Sequence, residues 1–268
     1  MMERCALRKS FKGNERLGEE RLNNQGCLMK IIEYNGNHNI VVEFQDKYQA
    51  RVHTNYKCFS LGETKNPYCP SVCGVGITGN KYPTRINNKK SKEYAVWTDM
   101  LLRCFDDRTK EKRPTYRDVV CCDEWLLFDN FYEWLHSQPN FDKWYNGDRW
   151  EIDKDILFKG NKIYSPKTCC LTPNNVNQLF VKGNAARGEL PIGVWKFRNK
   201  YYAQCRNTLN NNEQERLGGY STFEQAFHAY KTFKENIIKQ VAKIEYDKNS
   251  ITKECYEAML NYQVEITD

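Results

Sequence analysis

No stretch of this chain approaches the roughly 18 consecutive apolar residues of a membrane-spanning helix. The amino terminus, MMERCALRKSFKG, also lacks the apolar stretch of a secretory signal. No membrane partner is therefore expected, and a cytoplasmic location is. Cys69 and Cys73 have a CxxxC spacing that could supply half a zinc site, but no second CxxC or HxxxH stands at a standard distance from them. Structural zinc is not expected. The chain has 12 cysteines, including the adjacent pairs Cys121-Cys122 and Cys169-Cys170, which do not easily both join a compact disulfide framework. Reduced thiols are the reading for an intracellular chain of this kind.

Two of the basic stretches hold no acid. Asn80 to Lys92, NKYPTRINNKKSK, holds five Lys or Arg, and Val194 to Arg206 holds four. Such runs attract phosphate, although any one of them could be a solvated surface. The totals do not distinguish these possibilities, because a net charge of +7 is modest for 268 residues. Aromatic residues make up 13% of the chain, which excludes an overall disordered composition. With a mean hydropathy of -0.81, the length leaves room for two or three small domains rather than one large core.

Local patterning divides the chain into segments, and the fold class expected is α+β and multidomain. Residues 18–79 carry short β-forming runs, MKIIEY, NIVVEFQ and YQARVHT, separated by turn residues such as Asn35-Gly36. A small β barrel is the expected way for them to bury one face. Residues 80–92 read as a basic linker. From residue 93 to 182 the pattern is helical at first: Trp97, Met100, Leu101 and Cys104 recur at i, i+3, i+4 and i+7 behind a Ser91 cap. Trp125, Phe128, Phe131, Tyr132 and Leu135 form a second stripe, which helical spacing explains as core. Residues 187–246 read as strand-like runs with Asn-rich turns and then one long helix. Ser221-Thr222 caps that helix, and Phe223, Ala226, Phe227, Tyr230 and Phe233 supply its buried face. A last short helix is expected within residues 250–262.

The carboxy-terminal segment contains Gly193-Val194, Lys200-Tyr201-Tyr202-Ala203, Leu217-Gly218-Gly219-Tyr220 and a helix opening Ser221-Thr222-Phe223-Glu224-Gln225-Ala226. Over about fifty residues this resembles the apetala/ethylene-response-factor DNA-binding domain in its compact phage version. The resemblance implies a three-stranded sheet that lays a basic, aromatic face into the major groove while a helix supports it from behind. It points to Trp195, Lys196, Arg198, Lys200, Arg206 and Arg216 as nucleic-acid-binding residues. Lys196, Arg198 and Lys200 stand at alternate positions, so an uninterrupted strand would present all three on one face. The competing reading packs Trp195 against the helix and leaves the cations as surface.

Upstream, WEIDKDILFKGNKIYSPKTCCLTPNNVNQLF resembles the ββα-metal finger of HNH nucleases over about thirty residues. The resemblance implies a metal-dependent DNA endonuclease using Mg or Mn, in which Asp153 and Asn177 hold the ion. Lys154 falls at the general-base His, and Thr168 where the family has a central Asn. These departures carry chemical weight: a lysine has an ordinary pKa of about 10.4, so Lys154 suits a phosphate clamp better than a base. His38, His53, His136 and His228 all lie away from the motif in sequence. Asp153 and Asp155 could equally face solvent or pair with Lys. The order of parts is similar to phage homing-endonuclease-like proteins, which implies a phage- or prophage-encoded chain acting in the host cytoplasm on double-stranded DNA. The alternative is a catalytically inactive binder of DNA, RNA or a host nucleoprotein, or an inhibitor of a host enzyme on the same scaffold.

Overall fold

The computed structural model describes residues 13–181 and 189–268. The segment limits expected at 182 and 187, and residues 1–12, lie outside the described residues. Two compact units are present: Met1–Asp106 with Asp123–Tyr132, and Asp107–Cys122 with Glu133–Asp268.

The first unit opens with a turn of helix, α1 (Gly13–Arg16), and an antiparallel meander of β1 (Glu20–Leu22), β2 (Leu28–Tyr34), β3 (Ile40–Phe44) and β4 (Arg51–Thr54) in sequential order. Met29, Ile31, Ile40, Val42 and Phe44 are buried with Ala50 and Phe59. Phe59 belongs to α2 (Tyr56–Ser60), whose first turn is capped by Asn55 accepting from the Cys58 N–H at 2.9 Å. The expected barrel is corrected to an open sheet: among the described residues β1 pairs only with β2, and β4 only with β3. The physical reason is that α2 brings Phe59 onto the apolar face, so the edges need not close on each other to bury it.

The basic stretch is not a free linker. β5 (Arg85–Ile86) and β6 (Lys89–Lys90) form a hairpin whose turn residues Asn87 and Asn88 have φ of 49° and 63°. Asparagine tolerates this left-handed turn. Arg85, Lys89 and Lys90 are exposed on the hairpin. Before it, the Asp129 carboxylate accepts backbone N–H groups of Asn80, Lys81 and Tyr82, and Tyr82 stacks on Tyr132 at 3.9 Å. α3 (Lys92–Phe105) follows, with Ser91 accepting from the Tyr94 N–H at 3.2 Å, and buries Trp97, Met100, Leu101 and Cys104. The Trp97 indole donates to the Trp125 carbonyl at 2.7 Å, which satisfies its one polar atom inside the core.

The second unit takes up α4 (Asp107–Lys112), β7 (Val120–Cys121) and the end of α5 (Phe128–Ser137), then α6 (Phe141–Tyr145). β8 (Trp150–Asp153), β9 (Ile163–Tyr164), β10 (Cys170–Pro173) and the single turn α7 (Asn174–Asn177) come next. β8 pairs antiparallel with β10, and β7 pairs parallel with β9. β11 (Val194–Phe197), β12 (Lys200–Asn207) and β13 (Glu213–Tyr220) make an antiparallel meander, followed by α8 (Phe223–Asp247) and α9 (Lys253–Leu260). Thr222 caps α8, accepting from the Gln225 N–H at 3.3 Å.

A hydrophobic core joins the two halves of this unit's second segment. Ile156, Cys170, Val176 and Leu179 from the β8–α7 region pack with Val194, Ala203 and Cys205 of the sheet, with Phe227, Tyr230, Ile238 and Val241 of α8, and with Cys255 and Met259 of α9. The segments that differ in sequence pattern are therefore joined by burial. Gly193 sets the approach of helix to sheet: its φ is 75°, and a Cβ there would lie 2.0 Å from the Tyr230 ring.

Candidate nucleic-acid interface

The β8–β10 ladder pairs Asp153 with Cys170, Ile152 with Leu171, and Glu151 with Thr172. Because side chains alternate, Glu151 and Asp153 share one face. Asp153 ends its strand and turns into the following loop, where its Oδ1 accepts the backbone N–H groups of Asp155 at 2.6 Å and Ile156 at 2.8 Å. Burial pushes its pKa up, opposed by those two N–H groups. Lys154 is buried and its Nζ is engaged: it forms an ion pair with Asp155 at 2.7 Å and donates to the Asn161 carbonyl at 3.0 Å. This closes the loop, and the ammonium so held is a poor base.

Asn177 ends α7 and donates to Glu151 Oε2, while Asn174 donates to Glu151 Oε1 at 3.1 Å. The structure thus brings Asn177 to Glu151, two residues before Asp153. Glu151 and Asn174 are the members sequence reading missed; the alternation Glu151-Ile152-Asp153 at a strand end was their signal. Asp155 is drawn to Lys154 instead. Thr168 accepts from the Ser165 hydroxyl at 2.8 Å and donates to the Ile163 carbonyl at 2.6 Å, fixing the loop before β10. Glu151 and Asp153 offer hard oxygens of the kind Mg or Mn takes. Both Glu151 oxygens and Asp153 Oδ1 already accept hydrogen bonds, however, and among the described residues no group of three or more His, Cys, Asp or Glu is placed to hold a metal ion. The protein itself uses these oxygens to hold α7 and the loop after β8.

The carboxy-terminal sheet offers a different chemistry. Val194 pairs with Ala203 on the face covered by α8, so Trp195 and its partner Tyr202 lie on the other face, as do Phe197 and Lys200. Across the β12–β13 ladder, a bulge after Ala203 and the pairs Gln204 with Arg216 and Arg206 with Gln214 continue that outer face. Trp195 and Tyr202 stack at 4.7 Å, and Phe197 lies 6.2 Å from Trp195. Their exposure is unusual for large aromatics, at 37% for Trp195 and 53% for Phe197. Gly219 makes room for the platform, since a Cβ there would meet the Tyr202 ring at 2.8 Å.

The strand residues on this face include no acid. Glu213 and Glu215 pair with Asn207 and Cys205 and so lie on the opposite side, where Asn207 and Asn210 donate to their carboxylates. Lys200, Arg206 and Arg216 have no ion-pair partner among the described residues, whereas Lys231 and Lys243 of α8 and Lys253 of α9 pair within their helices.

Two expectations about this sheet change. Lys196, Arg198 and Lys200 do not share a strand face, because β11 ends at Phe197 and the chain reverses through Arg198, at φ 52°. Lys196 lies opposite Tyr201 on the helix side, its Nζ 5.2 Å from that ring. Arg198 sits at the hairpin tip with its guanidinium 5.3 Å from the Phe197 ring. Phe197 and Tyr202 are the residues missed; their signal was the period-two pattern of Trp195, Phe197 and of Lys200, Tyr202, Gln204, Arg206.

No helix among the described residues is long and apolar enough to cross a membrane. Compared with protein-family models, with curated proteins and with solved structures, the chain gave no match.

Proposed function

We propose that this chain binds double-stranded DNA through the helix-free face of β11, β12 and β13. The observation that carries the reading is a solvent-exposed sheet face with three aromatic rings, Trp195, Phe197 and Tyr202, and the cations Lys200, Arg206 and Arg216, which among the described residues have no ion-pair partner and no carboxylate on that face. Phosphates attract those cations, and the major groove, about 12 Å wide, admits β structure that presents side chains to base edges. Gln204 and Gln214 on the same face can hydrogen-bond to bases. The resemblance to the apetala/ethylene-response-factor domain supports the same face. An RNA or a nucleoprotein would meet the same chemistry and is an outcome of the test.

The test is a fluorescence-anisotropy titration of a duplex, and in parallel of single-stranded DNA and duplex RNA, at several salt concentrations. Lys200→Ala, Arg206→Ala and Arg216→Ala should each weaken duplex binding and lower the salt slope by about 1. Lys196→Ala, on the other face, should change neither. Equal affinity and slope in all four variants would remove this sheet from the interface and leave the Arg85, Lys89 and Lys90 hairpin as the next candidate. Tighter binding of RNA or single strands would redirect the reading.

A second reading, metal-dependent hydrolysis at Glu151 and Asp153 in the manner of the HNH finger, is favoured only by the oxygen-rich cluster with Asn174 and Asn177. Supercoiled plasmid incubated with Mg or Mn is expected to remain uncut. Nicking that Glu151→Ala and Asp153→Ala both abolish would make that cluster catalytic.

A further inference from the structure

Beside the free end of β12, where β11 has stopped and the Gln204 N–H donates to the Gly193 carbonyl at 2.9 Å, the second unit contains a cavity of about 670 Å³. Its surroundings are cationic and amide-rich: Arg206, Gln204 and Gln214 from the outer sheet face, Asn212 and Thr208 from the β12–β13 connection, and Lys234 from α8. None of the residues around it is Asp or Glu. Lys234 is mostly withdrawn from water and has no ion-pair or hydrogen-bond partner among the described residues, and burial holds its amine below the ordinary lysine range. The Thr208 hydroxyl is buried and likewise unpartnered among the described residues.

An ammonium placed in this way is costly unless an anion joins it, because a charge leaving water loses solvation that only a counter-charge or hydrogen bonds return. The described residues supply no carboxylate here. Arg206 adds a planar donor fork suited to tetrahedral oxyanions, and the amide side chains add neutral donors. We infer that this cavity is a phosphate-binding site, with Lys234 and Arg206 as its charged ligands. Arg206 belongs to both the cavity and the sheet face, so the phosphate can come from a nucleic-acid backbone lying on that face or from a free phosphate group. Only the first source rests on the duplex-binding reading.

The full-length protein is melted in inorganic phosphate and in chloride at equal pH and ionic strength. Phosphate at about ten times its dissociation constant should raise the parent's Tm by about 2–4 °C. Lys234→Met, which keeps an apolar stem of similar length, and Arg206→Gln should lose that shift, and Lys234→Arg should retain it. No shift in the parent, or an equal shift in parent and Lys234→Met, overturns the site. If the shift is lost in Lys234→Met, the duplex titration identifies the source: a salt slope lower by about 1 assigns a backbone phosphate, and an unchanged slope assigns a free one. The two readings fail separately. A Lys234-dependent phosphate shift in a protein that binds no duplex leaves this site standing and removes the interface. Duplex binding sensitive to Arg216→Ala with no phosphate shift does the reverse.

Discussion

Asp153 owes its raised pKa mainly to burial, which outweighs the two backbone N–H groups that hold it. The folded chain therefore keeps this proton longer than the unfolded chain does. Between the ordinary carboxylate range and the raised value the native state binds more protons, so this group's contribution to stability falls as pH rises through that window. Asp153→Asn retains an oxygen for both N–H groups and removes the charge. Its Tm relative to the parent should become more favourable from about pH 4 to pH 7; a difference independent of pH would contradict the role given to burial. Gly193 illustrates a backbone requirement of another kind. Gly193→Ala meets both a positive φ of 75° and the Tyr230 ring at 2.0 Å. Strain and overpacking together should cost about 2–4 kcal/mol in urea unfolding, and a loss under about 0.5 kcal/mol would show that α8 can shift freely.

Within the sheet, charge and stacking are separable. Gly219→Ala places a methyl group against Tyr202, whose ring stacks on Trp195, and leaves every cation in place. Duplex affinity should fall severalfold, with an unchanged salt slope, because base or sugar contacts with the platform are lost but phosphate contacts are not. An anisotropy series in which the slope falls along with affinity would mean that the substitution had displaced the cations as well. The hairpin tip explains why the three alternating cations separate. Period-two reasoning holds only while a strand continues, and the reversal through Arg198 and Asn199 sends Lys196 and Lys200 to opposite faces.

In the second unit, burial unites segments that look independent in sequence. Ile156, Cys170, Val176 and Leu179 belong to the same core as the carboxy-terminal sheet and helices. Removing them forfeits about 1.5–3 kcal/mol per large side chain, against a net stability of about 5–15 kcal/mol for a typical domain. A fragment of residues 189–268 should therefore show no cooperative thermal transition by circular dichroism. A sharp transition with well-dispersed amide resonances would establish the sheet and helices as an autonomous domain.

The sequence by itself determined the elements with strong periodicity or caps: α3 behind Ser91, α8 behind Thr222, and the strand runs of β2 to β4 and of β11 to β13. Side-chain spacing and capping act over a few residues, so they are legible along the chain. Only the tertiary structure decided what depends on distant partners. The first sheet remains open because α2 covers it, and Lys154 is spent on Asp155 and Asn161. Asn177 donates to Glu151, and Lys234 and Arg206 line one cavity with no acid among its described residues. These outcomes turn on which side chains burial brings together across tens of residues, and neither local propensity nor charge counting carries that information.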